Sequence, residues 1–121
     1  MKTFEELGVS PAIRKAIEEL GFQAPMPVQE AVIPTLLGIA AAEDREFAEP
    51  HDVIALAQTG TGKTAAFGIP LLQRITPLNP PGGVPQMLVL SPTRELCLQI
   101  TDDLRDFSKY IDGVHIEAVY G

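Results

Sequence analysis

Near the middle of the chain, a short segment rich in glycine and threonine separates an apolar run from a helical pattern. It consists of Ala57-Gln58-Thr59-Gly60-Thr61-Gly62-Lys63-Thr64. Its two glycines allow backbone angles that direct successive N–H groups into a concave anion site, and the following helix adds the positive end of its dipole. Lys63 is placed to reach phosphate oxygens, and the Thr64 hydroxyl suits one coordination position on Mg²⁺. The segment therefore predicts a site for a nucleoside triphosphate with Mg²⁺; the alternative is a glycine-rich turn with an ordinary surface lysine.

The alternation of apolar runs and helical patterns predicts the fold class. Short apolar runs typical of buried strands occupy 53–57 and 87–90, and apolar residues at alternate positions in 114–118 predict the start of a third strand. Helical patterns occupy 11–20, 27–37 (kinked or ended near Pro34), 62–75 and 93–110, and a loop rich in proline and glycine occupies 76–86. In the last helix, the residues expected to face the core are Leu96, Ile100, Leu104 and Phe107. Strands that alternate with helices predict an α/β domain with a parallel sheet.

Charge and cysteine content restrict the classes of partner and the environment. The chain has 16 Asp and Glu against 9 Lys and Arg, a net charge of −7. Because proteins that bind nucleic acid through bulk electrostatics are usually basic, any contact with RNA must depend on a few placed donors. A single cysteine, Cys97, excludes an intrachain disulfide. The uncharged stretch 75–93 contains five prolines, and Glu5 and Glu6 interrupt any signal peptide, so we expect a cytoplasmic protein with no membrane segment.

Two further segments resemble motifs of one enzyme family. The nonapeptide Gly21-Phe22-Gln23-Ala24-Pro25-Met26-Pro27-Val28-Gln29 resembles the Q motif of DEAD-box RNA helicases, and Phe4 lies seventeen residues upstream, as an isolated aromatic does in that family. The hexapeptide Ser91-Pro92-Thr93-Arg94-Glu95-Leu96, with Gln99 three residues further on, resembles motif Ia. The segment at 57–64 has the family's own form of motif I, which accepts Ala57 at its first position. The resemblance implies a P-loop NTPase fold, a RecA-like three-layer parallel sheet, here incomplete.

The resemblance also implies roles for individual residues. Gln29 would hydrogen-bond the adenine edge of ATP, Phe22 would stack on the adenine face, and Phe4 would support that pocket. The residues that would contact the RNA backbone, independently of base sequence, are Pro92, Thr93 and Arg94. Less specific alternatives remain open for three of these side chains. Phe22 would then be a core aromatic, Gln29 a solvated helix residue, and Arg94 a partner of Glu95 or of a neighbouring helix.

The chain also departs from the family pattern. Met26 stands where the family usually has threonine, and an acidic insertion at 39–51 separates helices at 1–38 from a P-loop βαβαβ segment at 52–121. No Asp-Glu-Ala-Asp sequence is present to hold Mg²⁺ and orient water for hydrolysis. We therefore expect an amino-terminal part of the first RecA-like domain, inactive alone and weak in RNA binding. Such a part would expose apolar strand edges and form a dimer or exchange strands.

Three functions follow from these patterns. The first is an ATP-dependent RNA helicase, in which this chain contributes ATP–Mg²⁺ and RNA contacts. The second is a P-loop nucleotide or small-molecule kinase, which predicts no role for Gln29 and no preference for adenine. The third is a nucleotide-binding module without turnover. Comparison of ATP with GTP, CTP and UTP separates the first function from the second.

Overall fold

The computed structural model of the chain describes residues 2–38, 52–57, 62–78 and 82–121. The acidic insertion predicted at 39–51 lies outside the described residues. The structure has four helices in these residues: α1 (Pro11–Glu19), α2 (Pro27–Leu37), α3 (Lys63–Gln73) and α4 (Arg94–Phe107). All four helices predicted from the sequence are present, with ends that differ from the prediction by no more than three residues.

The ends of the helices follow from local sequence. Pro11 occupies the first turn of α1, where its missing N–H costs nothing. After α1, the Phe22 N–H donates to the Ile17 carbonyl (3.0 Å) and the Gly21 N–H to the Glu18 carbonyl (3.0 Å), with Gly21 at φ 92°. These two bonds form the glycine-dependent reversal that ends many helices, and they determine where the chain places Phe22. 

Two helices contain an internal proline. Pro34 lies within α2 and Pro70 within α3, and each removes one helical hydrogen bond because proline has no N–H. The sequence predicted that α2 is kinked or ends near Pro34. The helix continues to Leu37 and ends at Gly38, which adopts a left-handed conformation. Pro70 is fully buried, so its ring contributes apolar surface to the core.

The core lies between the N-terminal segment and the faces of α1, α2, α3 and α4. Helix α3 packs against both α2 and α4, and α1 packs against α4. The buried apolar residues that form one cluster are Phe4, Leu7, Val9, Ile13, Ile17, Ile33, Ala65, Ile69, Leu72, Ile100, Leu104 and Phe107. The prediction for Leu96 was wrong: its side chain is 37% exposed, because it lies in the first turn of α4, before the buried stripe of that helix begins.

A polar contact joins the end of α1 to the residues that follow α4. Glu19 accepts hydrogen bonds from the Tyr110 hydroxyl and from Lys109 Nζ, the latter at 2.9 Å. The hydrogen bond from Tyr110 lowers the pKa of Glu19, and Lys109 lowers it further. The same bonds raise the pKa of Tyr110 and of Lys109. All three groups lie at the surface, so the contact orients α1 on α4 and contributes little stability.

The three predicted strands run as extended chain without forming a sheet in the described residues. No backbone hydrogen bond joins 53–57, 87–90 and 114–118 to one another in this part of the chain. The burial predicted for 53–57 and 87–90 is wrong for the described residues. Ile54 and Leu56 are 96% and 97% exposed, and Leu88 and Leu90 are 78% and 85% exposed. Only Met87 and Val89, on the other face of the second segment, pack against the core. Pairing requires a neighbouring strand, and the described residues do not supply one, so the parallel sheet stays a prediction.

No helix in the described residues combines the length and the apolar character needed to cross a lipid bilayer.

Candidate functional site

The end of the predicted phosphate-binding segment forms the first turn of α3. Gly62 precedes the helix at φ 80° and ψ 30°, a left-handed conformation that favours glycine. The first helical hydrogen bond joins the Ala66 N–H to the Gly62 carbonyl (3.1 Å), so the helix itself supplies no partner for the amides of residues 63–65. Lys63 is exposed and Thr64 is half-buried at the same turn. These groups present N–H donors, a cation and a hydroxyl at one helix end, the chemistry of an anion site.

The remaining residues of that segment are only partly described. Ala57 ends the extended run before it and is half-buried. Gln58, Thr59, Gly60 and Thr61 were predicted to bind the nucleotide, and they lie outside the described residues.

Gln29 connects the predicted adenine site to the predicted phosphate site. Its side chain is 1% exposed, which excludes the alternative of a solvated helix residue. Its Oε1 accepts from the Met26 N–H (2.9 Å), and its Nε2 donates to the Gly62 carbonyl (3.3 Å). Gly62 leaves room for this contact, because a Cβ at that position would overlap the Gln29 amide and lie 3.0 Å from the Met26 sulfur. A hydrogen bond thus connects two residues that are 33 positions apart in the sequence and that were both predicted to bind the nucleotide.

The predicted adenine-stacking residue lies at the margin of the core. Phe22 is half-buried, with its ring centroid 6.2 Å from that of Phe4 and 6.1 Å from that of Phe107, the second pair edge to face. Phe4 is 7% exposed. The predicted support of Phe22 by Phe4 is therefore present as a ring contact. Phe22 also packs as a core aromatic, the alternative that its position after α1 left open.

The three residues predicted to contact RNA lie together at the start of α4. Pro92, Thr93 and Arg94 are all exposed. The Thr93 hydroxyl accepts from the Leu96 N–H (3.1 Å), so it caps the helix. Arg94 donates to the Gly121 carbonyl (2.7 Å), and its guanidinium lies 5.0 Å from the centroid of the Tyr120 ring. Among the described residues Arg94 forms no ion pair with Glu95, so its charge remains accessible at the surface.

Sequence reasoning did not single out Tyr120 or Gln73. Tyr120 lies under the Arg94 guanidinium. Gln73 accepts from the Ser10 N–H (2.8 Å) and donates to the Gly8 carbonyl (3.0 Å). Neither position belongs to a motif, and contacts between residues 26 to 65 positions apart leave no local pattern in a sequence.

The residues at the first turn of α3 fit a magnesium ion that is bound mainly by phosphates and water. Among the described residues, no group of His, Cys, Asp or Glu side chains is arranged to hold a metal. Mg²⁺ usually keeps several waters and binds through one or two protein groups together with substrate phosphates. The Thr64 hydroxyl is suited to serve as one such group, since it lies on the turn that presents Lys63 and the amides without a partner within the helix.

Comparison with protein families and with known relatives agrees with this geometry. The model of the DEAD/DEAH box helicase family matches residues 26–121. The chain is 46% identical over 119 residues to the ATP-dependent RNA helicase DeaD of Buchnera aphidicola subsp. Schizaphis graminum, and 44% identical to that of Escherichia coli K12. Each alignment covers 98% of this chain but only 18% and 17% of the relative, so the chain spans less than one fifth of their length.

Solved structures show the same likeness. S. cerevisiae Dbp5 bound to RNA and ADP BeF3 has a TM-score of 0.75 and 36% identity, over 91% of this chain and 25% of that one. The RNA-helicase Prp28 from Chaetomium thermophilum bound to ADP has a TM-score of 0.76 and 35% identity, over 92% and 25%. The likeness to these helicases shows that the chain has a P-loop RecA-like fold.

Proposed function

Because the chain belongs to the DEAD/DEAH box helicase family, we propose that it forms part of the ATP-binding domain of an ATP-dependent RNA helicase. The contact between Gln29 and Gly62 carries this proposal, because it brings the predicted adenine-binding amide against the turn that begins the P-loop helix. The helicases with similar sequence are named as ATP-dependent, and the similar solved structures contain a nucleotide or its analogue. The domain division at 1–38, 39–51 and 52–121 belongs to this proposal.

The nucleotide would bind across two helix ends. Adenine would lie beside Gln29, whose amide offers one donor and one acceptor to the base edge, with Phe22 against its face and Phe4 behind Phe22. The phosphates would lie at the first turn of α3, on the amides of residues 63–65, with Lys63 neutralising their charge. Ala57 and residues 58–61 would add further contacts to the nucleotide, as their motif predicts. Mg²⁺, when bound with Thr64, supplies charge neutralisation at the phosphate oxygens.

RNA would bind at the start of α4. The exposed Arg94 offers a planar fork that matches phosphate geometry, and it is held in place by Tyr120 and the Gly121 carbonyl. The Thr93 hydroxyl is already used as the helix cap, so its contribution would come from its O–H donor or from the neighbouring amides. These donors suit phosphate and sugar, which carry no sequence information.

The activity of the whole enzyme needs groups beyond those of this chain. Phosphoryl transfer to water requires a carboxylate to hold Mg²⁺ and a residue to orient the attacking water. Among the described residues, no group of three or more His, Cys, Asp or Glu side chains is arranged to hold a metal, and the sequence contains no Asp-Glu-Ala-Asp. We therefore propose that this chain binds nucleotide and, weakly, RNA, and that it does not hydrolyse ATP alone.

Substitution of Gln29 tests the adenine assignment. We expect Gln29→Ala to reduce the preference for ATP over GTP, CTP and UTP by about tenfold, because one to two hydrogen bonds to adenine are lost. The affinity for inorganic tripolyphosphate should change less. Competition against a fluorescent nucleotide measures the dissociation constants. Gln23→Ala is the matched control, because Gln23 is an exposed glutamine of the same motif. An unchanged preference for adenine in Gln29→Ala would favour a P-loop kinase instead.

Substitution of Arg94 tests the RNA assignment. We expect Arg94→Ala to weaken binding of single-stranded RNA about fivefold, by a similar factor for unrelated sequences, because a single phosphate contact is lost. The control is Arg105→Ala. Arg105 is also exposed on α4 and donates to a backbone carbonyl, that of Ile116 at 2.8 Å, but it lies about three turns away. Filter binding at fixed salt measures the effect. Equal losses in both variants would show that only net charge matters.

A further inference from the structure

The Gln73 side-chain amide forms two hydrogen bonds that connect α3 to the segment that precedes α1. Its Oε1 accepts from the Ser10 N–H (2.8 Å), and its Nε2 donates to the Gly8 carbonyl (3.0 Å). Both bonds are partly buried and span 63 and 65 positions. Ser10 precedes the first residue of α1 but makes no capping bond with its own side chain. The amide of Gln73 therefore fixes the backbone at the start of α1.

Gln29 makes the equivalent contact at the other end of the same helix. Helix α3 begins beside Gly62, which accepts from Gln29, and it ends at Gln73. The two ends of this 11-residue helix are about 15 Å apart at 1.5 Å per residue. The N-terminal hairpin, defined here as residues 8–37 with α1 and α2, is thus tied to the P-loop helix by one glutamine amide at each end.

We propose that Gln73 is a positioning residue for adenine recognition, which holds the N-terminal hairpin on α3 when Gln29 engages the base. This inference rests on the proposed function. Gln29 uses one of its two N–H donors for Gly62 and one lone pair of its oxygen for Met26, so one donor and one lone pair remain for an adenine edge. The bond from Gln29 to Gly62 is the longest of the four, at 3.3 Å, so the bonds of Gln73 are the closer tie between the hairpin and α3. The bonds of Gln73 lie at the opposite end of α3 from the proposed nucleotide site, so the base does not compete for them.

The aromatic part of the predicted pocket depends on the same anchor. Phe22 follows α1 directly and is held by the reversal that ends that helix. A shift of the start of α1 along α3 moves Phe22 relative to Gln29 and to the first turn of α3. Phe4 contacts Phe22 and lies six residues before Ser10, so it moves with the same segment. The proposed contacts to the phosphates come from the first turn of α3 and from residues 57–61, and neither segment belongs to the hairpin.

The test is the ratio of two dissociation constants in the presence of Mg²⁺, one for ATP and one for inorganic tripolyphosphate. Gln73→Met removes both hydrogen bonds at nearly constant volume. We expect it to weaken ATP binding roughly fivefold and to change tripolyphosphate binding less than about twofold. A purely structural role would weaken both ligands equally. Hydrogen exchange at the Ser10 amide reports whether the bond has been lost.

Gln86→Met is the matched control. Gln86 also bonds a backbone N–H and carbonyl with its amide, those of Thr76 at 2.8 and 2.9 Å, but it lies in a loop away from the hairpin. We expect its substitution to leave the ratio unchanged. If Gln73→Met does not fold, Gln73→Glu keeps the acceptor for Ser10 and is expected to weaken ATP binding about twofold.

The outcomes separate this inference from the proposed function. Loss of adenine preference in Gln29→Ala, with an unchanged ratio in Gln73→Met and Gln73→Glu, would overturn the role of Gln73 alone. An equal loss of ATP and tripolyphosphate binding in the Gln73 variants would also overturn it. Absence of ATP binding by the unsubstituted chain would overturn the proposed function and the inference together.

Discussion

Lys63→Ala is expected to abolish binding of ATP and of tripolyphosphate, with a loss of about a hundredfold or more, because a charged group in contact with phosphate is worth about 3 kcal/mol. The exposed ammonium is the cation placed on the first turn of α3, beside the amides that have no helical partner. Isothermal titration of ATP and tripolyphosphate with Mg²⁺ measures the loss.

The fold is expected to survive this substitution. A cation at the start of a helix opposes the helix dipole, and alanine has the higher helix propensity, so stability stays equal or rises by up to about 0.5 kcal/mol. The residue thus occupies a position where it costs stability, which is typical of a functional side chain. Thermal unfolding followed by circular dichroism checks this expectation.

Arg74→Ala is the control for net charge. Arg74 is exposed and follows the opposite end of α3, so its loss removes the same charge far from the first turn. We expect ATP affinity to change less than about twofold. A comparable loss in both variants would mean that the phosphates are attracted by overall charge, and the P-loop assignment would then be wrong.

The purified chain is expected to self-associate at micromolar concentration. Its extended segments expose large apolar side chains: Ile54 (96%), Leu56 (97%), Leu88 (78%), Leu90 (85%) and Val119 (87%). A dimer that buries these five side chains on both chains gains about 20 kcal/mol at about 2 kcal/mol each. This gain exceeds the roughly 4–15 kcal/mol that association costs. Unpaired strands add backbone donors and acceptors to the same surface.

Two outward leucines on one extended segment provide the test. We expect the double substitution Leu88→Lys and Leu90→Lys to shift association toward monomer at least about tenfold, because lysines on an open strand edge oppose pairing. The packed side chains Met87 and Val89 remain unchanged on the other face. Light scattering during gel filtration, over a range of loading concentrations, gives the mass.

Leu98→Lys is the control, since Leu98 is a partly exposed apolar residue of α4 rather than of an extended segment. It should leave association unchanged. A compact monomer at every concentration, with no binding of hydrophobic dyes, would contradict the expected association.

Much of the secondary structure was predictable because it depends on neighbours in sequence. Pro11, Gly21, Gly38 and Thr93 mark helix ends through local backbone conformation and capping. Burial was predictable where periodicity continues through a helix, as at Ile100 and Leu104. The burial predicted for Leu96 was wrong, because periodicity shows which face of the helix a residue occupies but not how far along that face the core extends.

Residue order alone determines the four helices and the extended character of 53–57, 87–90 and 114–118, since each follows from local conformation and from the period of apolar residues. The phosphate-binding turn stays a prediction of the sequence, because residues 58–61 lie outside the described residues. Only the folded chain reveals that Gln29 bonds to Gly62, that Gln73 bonds to Gly8 and Ser10, and that Phe22 packs between Phe4 and Phe107. These contacts join residues that are distant in sequence, and their formation depends on how the helices pack. For the same reason, the sequence predicts that a segment is extended but not that it pairs in a sheet, because pairing requires hydrogen bonds to a second segment.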